Sequence, residues 1–173
     1  MTRGPASAQS ASRTLSFICE AMERNIGVIS DTHGLLREEV RSGLRGCGMI
    51  LHAGDIGSPL ILTELRQIAE VVAVRGNVDT GLWASELKKE EFVEVEGHRI
   101  CVVHDISTLT LDPASAGVDI VIYGHSHKPA VEWKGGILYL NPGSAGPKRL
   151  HLPISMALLR ITSDHIVPEL VEL

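Results

Sequence analysis

Aromatic residues are scarce in this chain: Phe, Trp and Tyr together make up 3% of 173 residues. A core must therefore be built from Val, Ile, Leu and Ala. Cysteine is scarce too. Cys19, Cys47 and Cys101 are an odd set with no C-x-x-C spacing, which excludes a disulfide framework and a zinc ribbon and fits a reducing cytoplasm. Basic residues are outnumbered, 16 Lys and Arg against 21 Asp and Glu, for a net charge of −5. That balance argues against a dedicated nucleic-acid-binding surface. No run of some 18 apolar residues and no signal-peptide core is present, so no membrane span is expected. The apolar share, 44%, is ordinary, and the length suits one domain with a proper core.

The first two dozen residues carry Ala, Ser and Arg and no acid before Glu20. Such a stretch buries little surface, so residues 1–24 are expected to be a flexible extension and residues 25–173 the folded domain. Within the latter, Ile26 to Ile29 is a short apolar run that ends in Ser30-Asp31-Thr32-His33-Gly34. Leu35, Leu36, Val40 and Leu44 follow at helical spacing, then a second strand, Met49 to His52, ending in Ala53-Gly54-Asp55. Pro59 opens a helix through Ile68, and Val71 to Val74 forms a third strand ending in Arg75-Gly76-Asn77-Val78-Asp79. Strands alternating with helices predict a parallel sheet. Beyond it the pattern changes to a hairpin, Phe92 to Val95 and Arg99 to Val103, ending in His104-Asp105. A helical stretch is expected from about Thr108, then a strand, Val118 to Tyr123, ending in Gly124-His125-Ser126-His127. Ala130 to Trp133, Ile137 to Asn141, Ser155 to Thr162 and Ile166 to Val171 read as further strands.

Asp31 and His33, Asp55, Asn77, His104, and His125 and His127 thus each stand at a predicted strand end. Strands lying side by side would bring these seven donors to one edge, where α/β proteins bind ligands. Seven donors are too many for one four-coordinate zinc and suit two ions sharing a carboxylate. Oxygen mixed with imidazole favours manganese, with nickel, iron, cobalt and zinc as alternatives, over magnesium.

Asp31-Thr32-His33, Gly54-Asp55, Gly76-Asn77-Val78-Asp79, His104, Gly124-His125-Ser126-His127 and Asn141-Pro142-Gly143-Ser144 resemble the signature of the calcineurin-like metallophosphoesterases, and within them the small single-domain phosphodiesterases. The resemblance spans nearly everything but the N-terminal extension. It implies the metallo-dependent phosphatase fold, an α/β four-layer αββα sandwich of two mixed β-sheets flanked by helices. It also implies a hydrolase of phosphodiesters, and of monoesters less well, that uses two divalent metal ions. Asp31, His33 and His127 would hold one ion, Asn77, His104 and His125 the other, and Asp55 would bridge. Asp55, Asn77 and His104 would be the catalytic residues, and a hydroxide between the ions the nucleophile. The rival expectation is a non-catalytic scaffold of the same fold, like the retromer subunit. Small phosphoesters are the expected partners, and self-association is open.

Two positions depart from the family pattern. Val78 stands where many larger relatives carry a histidine thought to assist the leaving group. Asp105 stands where close relatives usually have glycine, either to hydrogen-bond a ligand imidazole, to repel an anionic substrate or to crowd the second metal. Among the remaining polar residues, His52 is expected as a satisfied core histidine and Asp79 as a loop-bonding residue. Lys148 and Arg149 either meet substrate phosphate or, the favoured expectation, form a solvated pair; Trp83 is expected as a packing residue, and His98, His151 and His165 at the surface.

Overall fold

The computed structural model describes residues 23–173. The expected extension, residues 1–24, therefore lies outside the described residues except for its last two, and Arg24 already belongs to the first strand.

Two five-stranded mixed sheets make the frame. In the first, β1 (Arg24–Ile29), β2 (Met49–His52) and β3 (Glu70–Ala73) run parallel, and β9 (Ser155–Ile161) and β10 (Ile166–Glu172) add antiparallel, in the order β10-β9-β1-β2-β3. In the second, β4 (Glu90–Val95), β5 (His98–Val103), β6 (Ile120–Ile122), β7 (Ala130–Lys134) and β8 (Ile137–Asn141) lie in the order β4-β5-β6-β8-β7. There β5, β6 and β8 are parallel and the two outer strands antiparallel. β-Branched and Leu side chains from the facing surfaces interlock between the sheets: Ile26, Val28 and Leu51 from one, Ile100, Val102, Ile120, Ile122, Leu138 and Leu140 from the other. Alternation sends the intervening residues to the outer faces.

On the first sheet that outer face is covered by α1 (Glu38–Gly43) and α2 (Pro59–Leu65), whose Val40, Ile61, Leu62 and Leu65 pack with Ile29, Leu44, Ile50 and Met156. Ser58 caps α2 by accepting from the Leu60 amide, and Pro59 occupies its first turn. A single turn, α3 (Leu82–Ser85), follows the third strand and was not expected; Trp83 packs on this layer as anticipated.

The outer face of the second sheet carries Cys101, Val103, Val118, Val121 and Ile137. Its cover differs from expectation. In place of a helix from about Thr108, the chain makes a 3₁₀ turn, Ile106–Thr108, and irregular turns to Gly117. Pro113 disfavours helical backbone at the residue before it. Asp112 then accepts from the amide and hydroxyl of Ser115, and Asp105 from those of Ser107, bonds that stabilise turns rather than continuous helix. The helical layer on this side is correspondingly thin.

Candidate metal centre

The parallel strands of both sheets end on one side of the molecule. The loops after β1, β2, β3, β5 and β6 carry all seven donors, and hydrogen bonds beyond the strands hold them in register. The Asp31 amide donates to the Gly54 carbonyl at 3.0 Å, the His33 amide to that of Asp55 at 2.9 Å, and the Gly124 amide to that of His104 at 2.9 Å. Ser144, from the Asn-Pro-Gly-Ser loop, donates its hydroxyl to the Asp31 carbonyl at 3.1 Å.

Close approach of these loops depends on missing side chains. A Cβ on Gly76 would run into the Asp55 amide and carboxylate, and one on Gly124 into the Ser30 hydroxyl and the Asp31 carboxylate. The backbone itself is strained. Among the described residues seven non-glycine positions have positive φ, and five of them are Asp31 (56°), His33 (46°), Asp55 (53°), His125 (66°) and His127 (57°). Left-handed backbone costs an L-residue roughly 1–2 kcal/mol, so its concentration here marks a site where aiming the side chain outweighs local comfort.

Asp31 is fully buried, and its two oxygens differ. Oδ2 accepts from the Ser30 hydroxyl at 2.6 Å and the His125 amide at 3.2 Å. Among the described residues Oδ1 has no hydrogen-bond partner; it faces His127 Nε2 at 3.4 Å and His33 Nε2 at 3.8 Å. The His33 and His127 rings stack, 5.4 Å between centroids. Asp55 looks both ways, Oδ2 towards His33 Nε2 at 3.9 Å and Oδ1 towards His104 Nε2 at 3.3 Å. Asn77 Oδ1 lies 3.0 Å from His104 Nε2 and 3.1 Å from His125 Nδ1. A buried oxygen with no donor is costly, and carboxylate and imidazole atoms converging within 4.8 Å fit a divalent cation in two adjoining groups: Asp31, His33 and His127, and Asp31, Asp55 and His104.

Surrounding residues fix the rings and tune the acids. His104 Nδ1 donates to the Ala53 carbonyl at 2.7 Å, which turns Nε2 inward. Burial works against a charged His104, but the Asp55 carboxylate and the Ala53 carbonyl outweigh it and raise its pKa. Burial would likewise raise Asp55, yet His104 and the Val78 amide hold its carboxyl below the usual range. Burial lowers His127. Asp105 accepts from Ser107, which lowers its pKa, and its Oδ2 faces His125 Nε2 at 3.8 Å. That separation exceeds a hydrogen bond, so Asp105 stands beside His125 without bonding it.

His52 is a satisfied core histidine, as expected. Thr32 donates its hydroxyl to the Ile56 carbonyl at 3.0 Å and therefore accepts from His52 Nε2 at 2.9 Å, while His52 Nδ1 accepts from the Gly54 amide at 3.2 Å. Burial pushes the His52 pKa down to about 4. Asp79 does more than close its own turn. It accepts from the Gly76 amide at 2.8 Å and, across to the Asp55 loop, from the Ile56 and Gly57 amides at 3.2 and 2.7 Å.

Arg149 is exposed but turns towards the site. It is not merely a solvated cation: its Nη2 donates to His33 Nε2 at 3.2 Å. The Pro147-Lys148-Arg149 stretch was the available signal, but nothing local says which of two adjacent cations turns inward. His151 and His165 are exposed, and His98 is half-buried against the Thr162 carbonyl at 3.0 Å.

Comparison with known proteins agrees with this geometry. The family model for the calcineurin-like phosphoesterase superfamily domain matches residues 25–164. A probable metallophosphoesterase of Methanothermobacter thermautotrophicus is 36% identical over 158 residues, covering 84% of this chain and 91% of the relative. A phosphodiesterase of Methanocaldococcus jannaschii is 28% identical over 137 residues, covering 68% and 82%. Among solved structures, vacuolar protein sorting 29 from Cryptosporidium parvum has the same fold, with a TM-score of 0.76 at 22% identity over 87% of this chain and 92% of that one. Matched along most of its length by the family model and by a relative above 30% identity, the chain belongs to the calcineurin-like phosphoesterase superfamily.

Proposed function

We propose that this protein hydrolyses phosphodiesters with two divalent metal ions. The observation that carries the reading is Asp31 Oδ1, buried without a hydrogen-bond donor and facing two imidazole nitrogens beside Asp55. Asp31, His33 and His127 would hold one ion, Asn77, His104 and His125 the second, and Asp55 would serve both through its separate oxygens. Manganese is the first candidate. When bound, the ions supply positive charge against the phosphate and bring the pKa of a bound water towards neutrality.

The chain's own residues set the rest. His104 is held by the Ala53 carbonyl with Nε2 turned to the site. Arg149, at the His33 edge, can donate to a phosphate oxygen, as guanidinium groups do in charge-assisted pairs. Val78 is half-exposed and has no proton to give. General-acid assistance is worth ~10²–10⁴-fold, so esters whose leaving group needs no proton are favoured, and diesters with aryl arms should outpace alkyl monoesters. Small phosphodiesters are therefore the substrate class.

A second reading, a scaffold of the same fold, has support from the likeness to vacuolar protein sorting 29. Assay of metal-stripped protein on aryl phosphodiesters and monoesters, with each divalent metal restored separately, separates the two. Turnover that returns with metal and disappears in Asp55→Asn supports the enzyme. No turnover with any metal, or Asp55→Asn at the wild-type rate, overturns it.

A further inference from the structure

Beside the donors lies a cleft of about 390 Å³ whose near wall is Asn77, His104 and His125 and whose far wall includes Arg75, Lys89 and Thr108. That volume is in the range of small-ligand sites. The far wall is built by one backbone contact: the Arg75 amide donates to the Lys88 carbonyl at 2.8 Å, joining the end of β3 to the start of β4 and setting Arg75 and Lys89 on the same side.

Several cations of this acidic chain are neutralised by carboxylates. Lys88 pairs with Glu91 at 3.0 Å, Arg24 with Glu96 at 3.1 Å, and Lys134 with Glu132. Arg75 and Lys89 form no salt bridge and no side-chain hydrogen bond among the described residues, yet both line the cleft. Of the two carboxylates in the cleft, Asp105 accepts from the Ser107 amide and hydroxyl through Oδ1, and its Oδ2 faces His125 at 3.8 Å. Asp79, also in the wall, spends its oxygens on three amides. Arg75 and Lys89, bound to neither of these carboxylates, are left to meet an anion beside the donors.

We propose that this cleft binds a second phosphate, so that the favoured substrate is a small diester with one arm ending in a phosphate group. The scissile phosphate lies at the donor cluster and the terminal phosphate against Arg75 and Lys89. This deepens, and rests on, the phosphodiesterase reading.

The test uses a matched pair of chromogenic diesters, p-nitrophenyl ethyl phosphate and its analogue with a phosphate on the far carbon of the ethyl arm, on manganese-loaded protein. The wild-type chain should prefer the compound with the added phosphate in kcat/KM by about tenfold, the size of one or two charge-assisted contacts at a half-exposed site. The doubly substituted Arg75→Gln, Lys89→Gln protein should lose that ratio. Lys89→Glu, at an exposed position that leaves half-buried Arg75 in place, should reduce or invert it and covers poor folding of the double variant. A ratio near one in the wild type, or one that survives in the variants, overturns the proposal. If the wild type cleaves neither compound, the phosphodiesterase reading fails, and calorimetric binding of the same pair decides the subsite. Roughly tenfold tighter binding of the compound with the added phosphate, lost in the variants, upholds it; equal affinities overturn it.

Discussion

Asp31 makes the account specific at the scale of one residue. Its Oδ2 is saturated by Ser30 and the His125 amide, while Oδ1 is buried with no donor. In Asp31→Asn the removed charge relieves an oxygen whose isolation costs roughly 1–3 kcal/mol, so the metal-free variant should melt at or above the wild-type temperature. The wild type should gain thermal stability on addition of manganese, as any ligand of the native state provides, and the variant should gain none. Differential scanning calorimetry with and without metal reads both, and an equal metal-induced gain in the two proteins would contradict the assignment. Arg149 gives a second residue-scale prediction. If its guanidinium serves the phosphate, Arg149→Ala should lower kcat/KM on aryl diesters by about tenfold or more, the worth of a charge-assisted pair. Its metal content by elemental analysis should stay at the wild-type level. Loss of metal in that variant would instead make Arg149 a prop for His33.

The elements explain how donors scattered through the chain stay aimed. Five loops sit on the C-terminal ends of parallel strands, and their backbones touch where glycine leaves room. Gly76→Ala should displace the Asp55 carboxylate directly, because the added methyl would occupy its place. Such overpacking costs typically 1–3 kcal/mol, so we expect a lower melting temperature and loss of manganese-dependent turnover, measured on the same preparation. Strands were legible in the sequence because each is a short apolar run stopped by small or polar residues; the bounds read for Met49–His52 and Ile137–Asn141 are those of β2 and β8. Helices were less so. Leu35 and Leu36 share a helical spacing with Val40 yet precede α1, and the stretch from Thr108 is diverted by Pro113 and two Asp-centred turns. Periodicity reports which residues face a core, whereas these local bonds decide whether the backbone between them is helical.

For the whole molecule, sheet topology was legible only in part: the parallel β1-β2-β3 order follows from alternating strands and helices, but the pairing of β9 with β1 joins residues more than a hundred apart. The seven donors could be read because each ends an apolar run. Arg149 could not, since its contact with His33 spans 116 residues and exists only in the folded chain. Global stability should carry the mark of buried His52. Its folded pKa is about 4, below the ordinary 6.5, so the unfolded chain binds the extra proton first as pH falls. Stability of the metal-free protein should hold above pH 6.5 and fall between there and about 4, by on the order of 3 kcal/mol at 1.36 kcal/mol per unit. Urea unfolding across that range should show the slope, and His52→Gln should lack that part of it. Elemental analysis of protein reconstituted with manganese and freed of excess, with anomalous diffraction from the same sample, should find two ions per chain, one beside Asp31, His33 and His127 and one beside Asn77, His104 and His125. Protein that retains no ion there under saturating manganese or zinc would contradict the account.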